Sequence, residues 1–185
     1  YNKTMEIFSA KGACILFRKE VLQKTGLFDK DYFAYFEETD LCHRIWLAGH
    51  RILYTPSSTV YHKGGGSSKQ INYGYILFHS YKNRLCTYLK NLSFFYMLQV
   101  IPKTLFLYFC VSIFYLCTGK ANLVGSVAKA VFWNLVHLSG TLAKRKYIQT
   151  NIRKVDDKTF LPKLTKQVRL SYYWYLATGL SQYRD

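Results

Sequence analysis

Acidic residues are scarce in this sequence. Its 185 residues include 10 Asp and Glu against 26 Lys and Arg, which gives a formal net charge of +16 at pH 7. Hydrophobic residues make up 50% of the chain and aromatic residues 18%, a composition too apolar for a disordered protein. The length is sufficient for one domain with a proper core and some appended segments.

Several common functional motifs are missing as well. The sequence contains no Walker loop, no zinc-ligand spacing, no heptads and no internal repeats. A P-loop nucleotide site, a zinc centre, a coiled coil and a repeat protein are therefore disfavoured. No signal peptide is visible. The odd number of cysteines, without a C-x-x-C pair, predicts reduced and buried thiols in a cytoplasmic protein (Cys14, Cys42, Cys86, Cys110, Cys117).

The positive charge is concentrated in the second part of the chain. Residues 1–62 contain eight basic and seven acidic residues, so 18 basic and three acidic residues follow His62. A basic and strongly apolar segment favours an anionic membrane surface as partner, since nucleic-acid modules rarely carry long apolar runs. We expect no nucleic-acid partner. A non-enzymatic module that binds a membrane surface or nucleic acid remains the alternative to an enzyme.

The longest charge-free apolar run is too short to cross a bilayer. Thr104 to Cys117 spans 14 residues, whereas a membrane-spanning helix needs about 20. A second apolar stretch, residues 121–143, is interrupted by Lys129 and His137. We predict that residues 93–146 form a hairpin of amphipathic helices in the membrane interface, with a spanning pair as the open alternative.

Local patterns predict the other elements. Gly12 to Phe17 is continuously apolar over its last five residues, which indicates a strand covered on both faces. A helix is expected over residues 70–92, with its cations on a solvated face or directed at phosphates. The remaining predictions are a surface helix at 18–26, short strands at 51–54 and 59–62, an acid-capped helix near 155–161, and a basic, aromatic tail over 147–185.

Three carboxylates, those of Glu37, Glu38 and Asp40, lie within four residues where an aromatic loop meets a helical pattern. The helix is expected to end at Gly49, so the acids lie at its N-terminus, where backbone N–H groups favour ionised carboxylates. Such carboxylates beside aromatic side chains suit a sugar site, with a base for one hydroxyl and acceptors for others. Ordinary helix capping, with an i,i+4 pair between Asp40 and Arg44, is the competing explanation.

A glycine-rich loop follows His62. The segment Lys63-Gly64-Gly65-Gly66-Ser67-Ser68 is rich in backbone N–H groups. A histidine followed by such a loop is able to hold a metal ion and a phosphate group. A structural histidine and a flexible linker explain the same residues equally well.

These segments occur in a recognisable order. The sequence runs through Ser9-Ala10-Lys11-Gly12-Ala13-Cys14, Gly26-Leu27-Phe28-Asp29, Tyr35-Phe36-Glu37-Glu38-Thr39-Asp40-Leu41-Cys42-His43-Arg44, Ala48-Gly49-His50-Arg51 and Val60-Tyr61-His62-Lys63-Gly64-Gly65. It resembles the C-terminal half of the catalytic domain of bacterial family 2 glycosyltransferases, above all the rhamnosyltransferase-like members. The resemblance is dense over residues 8–92. It implies an α/β fold, with residues 1–92 as the acceptor-side part of a GT-A domain.

The resemblance also implies an activity. Such enzymes transfer a sugar, with inversion, from a nucleotide-diphosphate donor to a glycan or lipid-linked acceptor, here at the cytoplasmic face of the bacterial inner membrane, either peripheral to it or spanning it. The general base would be Glu38, with Glu37 and Asp40 holding acceptor hydroxyls. Since Glu-Glu stands where Glu-Asp is common, Asp40 is the alternative base. A retaining transferase is a further rival.

Further site residues follow from the same resemblance. Tyr35, Phe36 and Arg44 are expected to bind the acceptor, and His62 to help hold Mg²⁺ or Mn²⁺ on the donor diphosphate. The loop over the donor would comprise Lys63, Gly64, Gly65, Gly66 and Ser67. No Asp-x-Asp followed by an apolar strand precedes Gly12, where the metal motif of the family would lie. We therefore expect the chain to be a fragment that does not turn over alone.

Overall fold

The computed structural model describes residues 2–62 and 71–165, and their backbone is mostly helical. In chain order the elements are β1 (Met5–Glu6), α1 (Lys19–Thr25), α2 (Glu37–Leu47), β2 (Leu53–Tyr54), α3 (Tyr73–Asn91), α4 (Phe94–Cys117), α5 (Ala121–Val136), α6 (Leu138–Tyr147), a π-helical turn (Ile148–Ile152) and α7 (Asp157–Leu164).

The β structure of the described residues is one short antiparallel ladder. β1 pairs with β2, Met5 opposite Tyr54 and Glu6 opposite Leu53. The strand predicted at residues 12–17 is wrong: the segment is irregular, and Leu16 is 98% exposed. An apolar run becomes a buried strand only where neighbouring strands accept its backbone hydrogen bonds, and none of the described strands lies beside it. The strand predicted at 59–62 is also wrong, since those residues are irregular and exposed.

Helices whose ends are marked in the sequence form as predicted. α1 ends at Gly26, whose φ of 77° requires the left-handed conformation that glycine adopts readily. α2 is followed by Gly49 with φ of 82°, and its amide donates to the carbonyl of Trp46. Asp156 caps α7 by accepting a hydrogen bond from the amide of Lys158.

Helix α3 lies at the centre of the helical part. It packs against α2, α4, α5 and α6. Its apolar side contributes Leu77 and Tyr81 to the main core, as the helical spacing predicted. α4 and α5 complete this core from the other side (Tyr108, Val111, Tyr115, Leu123, Val127, Ala130).

A second core joins α2 to the end of the described chain. Trp46 of α2 stacks on Phe160 of α7 with ring centroids 5.6 Å apart. The indole N–H of Trp46 donates to the carbonyl of Phe8 at 3.1 Å. Ile148 and Ile152 of the π-helical turn fill the same cluster. Residues that follow the apolar helices therefore return to support the helix that carries the acids.

The cations of α3 do not lie on a solvated face, so that expectation is wrong. Lys82, Arg84 and Lys90 are 3%, 9% and 1% exposed. The ammonium of Lys90 lies 2.5 Å from a carboxylate oxygen of Asp29 and 3.0 Å from one of Asp40. Burial is tolerated because each charge has partners, which compensates for its lost hydration.

The apolar segments form two packed helices. α4 is a continuous 24-residue helix that runs through Pro102, and it is long and apolar enough to cross a membrane by length and composition. Only 22% of its apolar window is buried within the structure. α5 is shorter, with 16 residues. The predicted aromatic tail lies largely outside the described residues, from residue 166 onward.

All five cysteines are free thiols, in agreement with the absence of a disulfide pattern. Their predicted burial holds for Cys42 and Cys86 only. Cys14, Cys110 and Cys117 are exposed. Cys110 and Cys117 face outward because they lie on the side of α4 that no other described element covers.

Asp157 ties the end of the described chain to the start of α4. Its carboxylate accepts the amide N–H of Ser93 at 2.6 Å and lies 3.3 Å from a guanidinium nitrogen of Arg153 and 3.6 Å from the ring of His43. Burial acts to raise the pKa of Asp157, but these partners outweigh burial and lower it from 3.8 to about 2.

Replacement of Asp157 by Asn should remove a pH-dependent part of the stability. A carboxyl whose folded pKa is lowered stabilises the fold above its unfolded pKa of 3.8, and the contribution disappears as the pH falls toward about 2. We expect D157N to lose about 2 kcal/mol at pH 7 and to show a flatter profile between pH 4 and 2. Urea unfolding at a series of pH values measures both. D156N is the matched control, because the Asn still caps α7. Identical profiles for D157N and wild type would contradict the assignment.

Candidate functional site

The helix with the acids begins after a strained turn. Among the residues that the structure describes, Tyr35 and Phe36 are the non-glycine residues with positive φ, at 68° and 70°. A residue held in this region costs about 1–3 kcal/mol, and it persists only where its surroundings enforce it. The sequence offers no glycine at either position to relieve that cost. The turn therefore places the first residues of α2 in a direction that an ordinary helix entry would not give.

Side chains of α3 hold this turn. The amide nitrogen of Asn83 donates to the carbonyls of Ala34 at 2.8 Å and Tyr35 at 2.6 Å. The guanidinium of Arg84 lies 4.9 Å from the ring centroid of Phe36, within cation–π range. The turn is thus fixed from one side by the central helix of the fold.

Glu38 projects from the first turn of α2 toward the N-terminal loop. Its Oε1 accepts a hydrogen bond from the amide N–H of Gly12 at 2.9 Å. A Cβ on residue 12 would lie 2.6 Å from that oxygen, so a larger residue there would displace the carboxylate of Glu38 from its present position. A backbone amide thus holds one oxygen of this partly buried carboxylate, and the carboxyl group of Glu37 lies beside it.

Glu37 lies beside Glu38 and is about half buried. Burial raises the pKa of Glu37, and the charge and hydrogen bonding of Glu38 add to the rise. Burial and the charge of Glu37 in turn raise the pKa of Tyr35. The Oε2 atom of Glu37 is buried without a hydrogen-bond partner in the described structure. A buried acceptor of this kind is unusual, and it suits a site that receives a hydroxyl donor.

Asp40 is placed differently from the other two acids. It is fully buried, and its carboxylate accepts hydrogen bonds from Arg44 at 2.9 Å and from the amide of Asn91 at 2.9 Å, besides the contact with Lys90. With its oxygens occupied and shielded, Asp40 has no open position for an acceptor hydroxyl. Its placement argues against the predicted roles of base or acceptor ligand and indicates a structural role.

Arg44 is also committed to the fold. Its guanidinium donates to Asp40 and to the carbonyls of Thr25 and Leu27, and the residue is 5% exposed. The pair with Asp40 is thus buried, unlike the surface i,i+4 pair that the spacing suggested. A guanidinium with these partners is poorly placed to bind an acceptor. Tyr35 and Phe36 remain candidates for that role, because both are partly exposed at the turn.

An aromatic surface that the sequence did not indicate lies next to the loop before the acids. Phe33 is 68% exposed, and its ring centroid lies 6.0 Å from that of Tyr75 and 5.7 Å from that of His79. Burial and the neighbouring charge of Lys82 lower the pKa of His79. Phe33 and Tyr75 are distant in the sequence, so only the packing of α3 on the loop reveals the cluster.

The predicted donor and metal residues are at the edge of the described chain. His62 is exposed, and the loop residues Lys63, Gly64, Gly65, Gly66 and Ser67 lie outside the described residues. Within residues 2–62 and 71–165, no group of three or more His, Cys, Asp or Glu side chains is arranged to hold a metal ion. These residues do not by themselves fit a divalent metal centre.

Two open grooves lie apart from the acids. One, of about 460 Å³, runs along α4 and α5 and is lined mainly by apolar side chains such as Leu105 and Phe109. The other, of about 420 Å³, lies between α6 and the loop at Gly26, next to Asp29 and Lys90. Neither groove is lined by Glu37 or Glu38.

Comparisons with known proteins identify the part of the chain that carries this turn. The profile of the family described as glycosyltransferase-like family 2 matches residues 2–75. Two curated relatives, both named N-acetylglucosaminyl-diphospho-decaprenol L-rhamnosyltransferase, come from Mycobacterium tuberculosis strains CDC 1551 / Oshkosh and ATCC 25618 / H37Rv. Each is 41% identical over 51 residues, which cover 28% of this chain and 17% of the relative.

The aligned stretch is thus a small part of those relatives. No solved structure matches the chain. The family match nevertheless includes α2 and the turn at Tyr35 and Phe36 that leads into Glu37 and Glu38, called the acid turn below. It agrees with the resemblance found in the sequence. Over residues 2–75 this chain is therefore similar to glycosyltransferase family 2.

Proposed function

We propose that the turn before α2 is the base site of a glycosyltransferase. The reaction would transfer a sugar from a nucleotide-diphosphate donor to a glycan or lipid-linked acceptor, with inversion at the anomeric carbon. The observation that carries this proposal is the arrangement of the acids. On the strained turn the Gly12 amide holds the partly exposed carboxylate of Glu38, and Oε2 of Glu37 has no hydrogen-bond partner in the described structure, whereas both oxygens of Asp40 are engaged. The family match supports the reaction class.

Glu38 is the proposed general base. The Gly12 amide holds one carboxylate oxygen, so the other is able to accept the proton of an acceptor hydroxyl. The acceptor oxygen, as it loses its proton to Glu38, attacks the anomeric carbon from the face opposite the leaving group. The bond to the donor phosphate breaks, and its electron pair leaves with the nucleoside diphosphate. Oε2 of Glu37, which has no hydrogen-bond partner in the described structure, would accept a hydrogen bond from a second acceptor hydroxyl and so orient the sugar.

The donor side is less defined. Mg²⁺ or Mn²⁺ on the donor diphosphate would neutralise the charge of the leaving group, as in the family. His62 and the loop over residues 63–67 stay the proposed contacts for it. The proton transfer to Glu38 and the attack on the anomeric carbon are assigned to residues of this chain and to the substrates alone, and the described residues contain no metal centre.

The nature of the acceptor is proposed from the relatives. Their printed name describes transfer of L-rhamnose to a decaprenol-linked sugar diphosphate. A lipid-linked acceptor and a hexosyl or rhamnosyl donor are therefore the first substrates to test. A lipid-linked acceptor would also explain why apolar helices follow the acid turn in the same chain.

Helix α4 offers the surface for a membrane. One side of it packs on α3 and α5, and the opposite side exposes large apolar residues from its first turn to its last (Phe94, Phe95, Leu98, Leu105, Phe106, Phe109, Ile113, Leu116). At 1.5 Å per residue this stripe is about 35 Å long. A continuous exposed stripe of this length is far larger than the scattered apolar residues of ordinary protein surfaces.

The packing favours a helix that lies in the membrane plane over one that crosses. α5 packs along α3, and Asn134 of α5 donates to the carbonyl of Lys82 at 3.1 Å. Tyr108 of α4 donates to the carbonyl of Tyr81 at 2.9 Å. Because α3 buries three cations and holds the acid turn, it belongs on the aqueous side, and α4 is fastened to it. We place the stripe in the cytoplasmic face of the inner membrane, beside anionic headgroups that the basic residues attract.

Substitution of Glu38 by Gln tests the base directly. Gln keeps an oxygen that can accept the Gly12 hydrogen bond, but it cannot take a proton. We expect E38Q in the native-length protein to lower turnover by about 10²–10⁴-fold, with the fold retained. The measurement is sugar transfer to a lipid-linked acceptor, with NMR analysis of the product anomer.

E20Q is the matched control, since Glu20 lies in the first turn of α1 and is exposed. It should leave turnover at the wild-type value. An undiminished rate in E38Q would remove Glu38 as the base and assign that role to another residue. A product with retained configuration would exclude the inverting mechanism.

The membrane surface is tested by removing two rings from the stripe. Phe106 and Phe109 are 69% and 62% exposed, so F106S/F109S should leave the core intact. Since burial of one Phe contributes about 1.5–3 kcal/mol, we expect at least about tenfold weaker binding to vesicles that contain phosphatidylglycerol. Co-sedimentation with vesicles measures the effect.

F28S is the control for this pair, because Phe28 is 51% exposed on the loop before the acid turn and lies off the stripe. It should bind vesicles like the wild type. Equal binding by the double variant and the wild type would show that the stripe is not the docking surface.

A further inference from the structure

Asn83 stands out among the buried residues of α3. It is 0% exposed, and its amide nitrogen spends both hydrogens on the carbonyls of Ala34 and Tyr35. Its Oδ1, by contrast, is buried without a hydrogen-bond partner in the described structure. An amide that leaves its oxygen unsatisfied is costly to bury. The two hydrogen bonds of the amide nitrogen are therefore the favourable interactions that offset the burial of Asn83.

The two carbonyls belong to the start of the strained turn. Tyr35 and Phe36 both have positive φ, a conformation that favours glycine and that other residues keep only under constraint. Asn83 grips the backbone immediately before them. Arg84, the next residue of α3, lies over the ring of Phe36. One turn of α3 thus contacts both residues whose backbone is strained.

We propose that Asn83 is a positioning residue for the acid pair: by holding the carbonyls of Ala34 and Tyr35 it enforces the left-handed turn and so sets the direction of Glu37 and Glu38. The effect of Asn83 on catalysis rests on the proposed function. The effect of Asn83 on the geometry of the turn is independent of that function, so the two effects are measured separately.

The chain contains a matched control for this residue. Asn134 of α5 is 2% exposed, donates its amide to two carbonyls, of Lys82 at 3.1 Å and Ala130 at 2.9 Å, and also leaves its Oδ1 unsatisfied. It differs from Asn83 in having no contact with the turn. N83A and N134A therefore delete equivalent buried amides, and only one of them releases Tyr35.

The test follows the carboxyl group of Glu37 by ¹³C NMR in the purified 185-residue chain. Burial and the neighbouring Glu38 raise the pKa of Glu37, and Glu37 follows directly after the turn, so its titration reports the geometry of the turn. We expect its midpoint in N83A to move by about half a pH unit or more toward an ordinary glutamate, as the turn relaxes and water reaches the group. N134A should keep the wild-type midpoint. A folded N83A with an unchanged Glu37 titration would overturn the proposal.

A second variant keeps the test decisive if N83A is too unstable to titrate. Glycine adopts positive φ without strain, so Y35G should reduce the need for Asn83. We expect the loss of stability caused by N83A to be smaller in the Y35G background than in the wild type, and the loss caused by N134A to be the same in both backgrounds. An N83A loss that is equally large in both backgrounds would show that Asn83 supports the fold generally, which would also overturn the proposal.

Turnover separates this inference from the proposed function. In the native-length protein N83A should lower kcat by about tenfold or more and raise the acceptor KM, because Glu38 and the acceptor contact of Glu37 lie on the turn that Asn83 holds, whereas N134A should keep the wild-type values. If the wild type transfers no sugar, the proposed function fails, and the NMR comparison still decides the role of Asn83. An active N83A with unchanged kcat would remove its catalytic consequence.

Discussion

The buried charges between α3 and the loops around α2 hold the two parts of this structure together. Lys90 lies between the carboxylates of Asp29 and Asp40, and Asp40 in turn binds Arg44. Lys90 and the hydrogen bonds from Lys144 and Lys90 lower the pKa of Asp29 far below its usual value, although burial acts to raise it. A buried ion that loses its partner costs about 3–5 kcal/mol. These charges therefore fix where α2 lies on α3, and the contacts of the acid turn depend on that placement.

Local signals in the sequence were sufficient for the helices. α1 and α2 end where Gly26 and Gly49 predicted, and the acids of α2 lie in its first turn. The same kind of reasoning failed for residues 12–17, because an apolar run does not say whether a partner strand exists to cover it. It also failed for Lys82 and Lys90. Periodicity places these lysines on a polar side of α3, and only the distant acids make that side an interior one.

The acid turn shows the same division between local and distant information. The order of residues around Glu37 and Glu38 was enough to indicate a sugar site and the family. The different situation of Asp40 was not, since its partners Lys90 and Asn91 follow it by about fifty positions. Asn83 is equally remote from the backbone that it grips. Contacts at such separations follow from the packing of α3, which no short motif describes.

The long link between Lys144 and the first part of the chain has a consequence for how the protein matures. The ammonium of Lys144 in α6 binds Asp29, 115 residues earlier, and also reaches Asp31. Contacts between residues so far apart in the sequence close a long loop, and both residues have to be present first. The ion pair of Lys144 therefore cannot form until α6 has been synthesised. Phe160 and Asp157 come later still, and they complete the surroundings of Trp46 and His43. The segment that carries the acids is thus synthesised before α6 and α7, and its surroundings are complete only after those helices have packed against it.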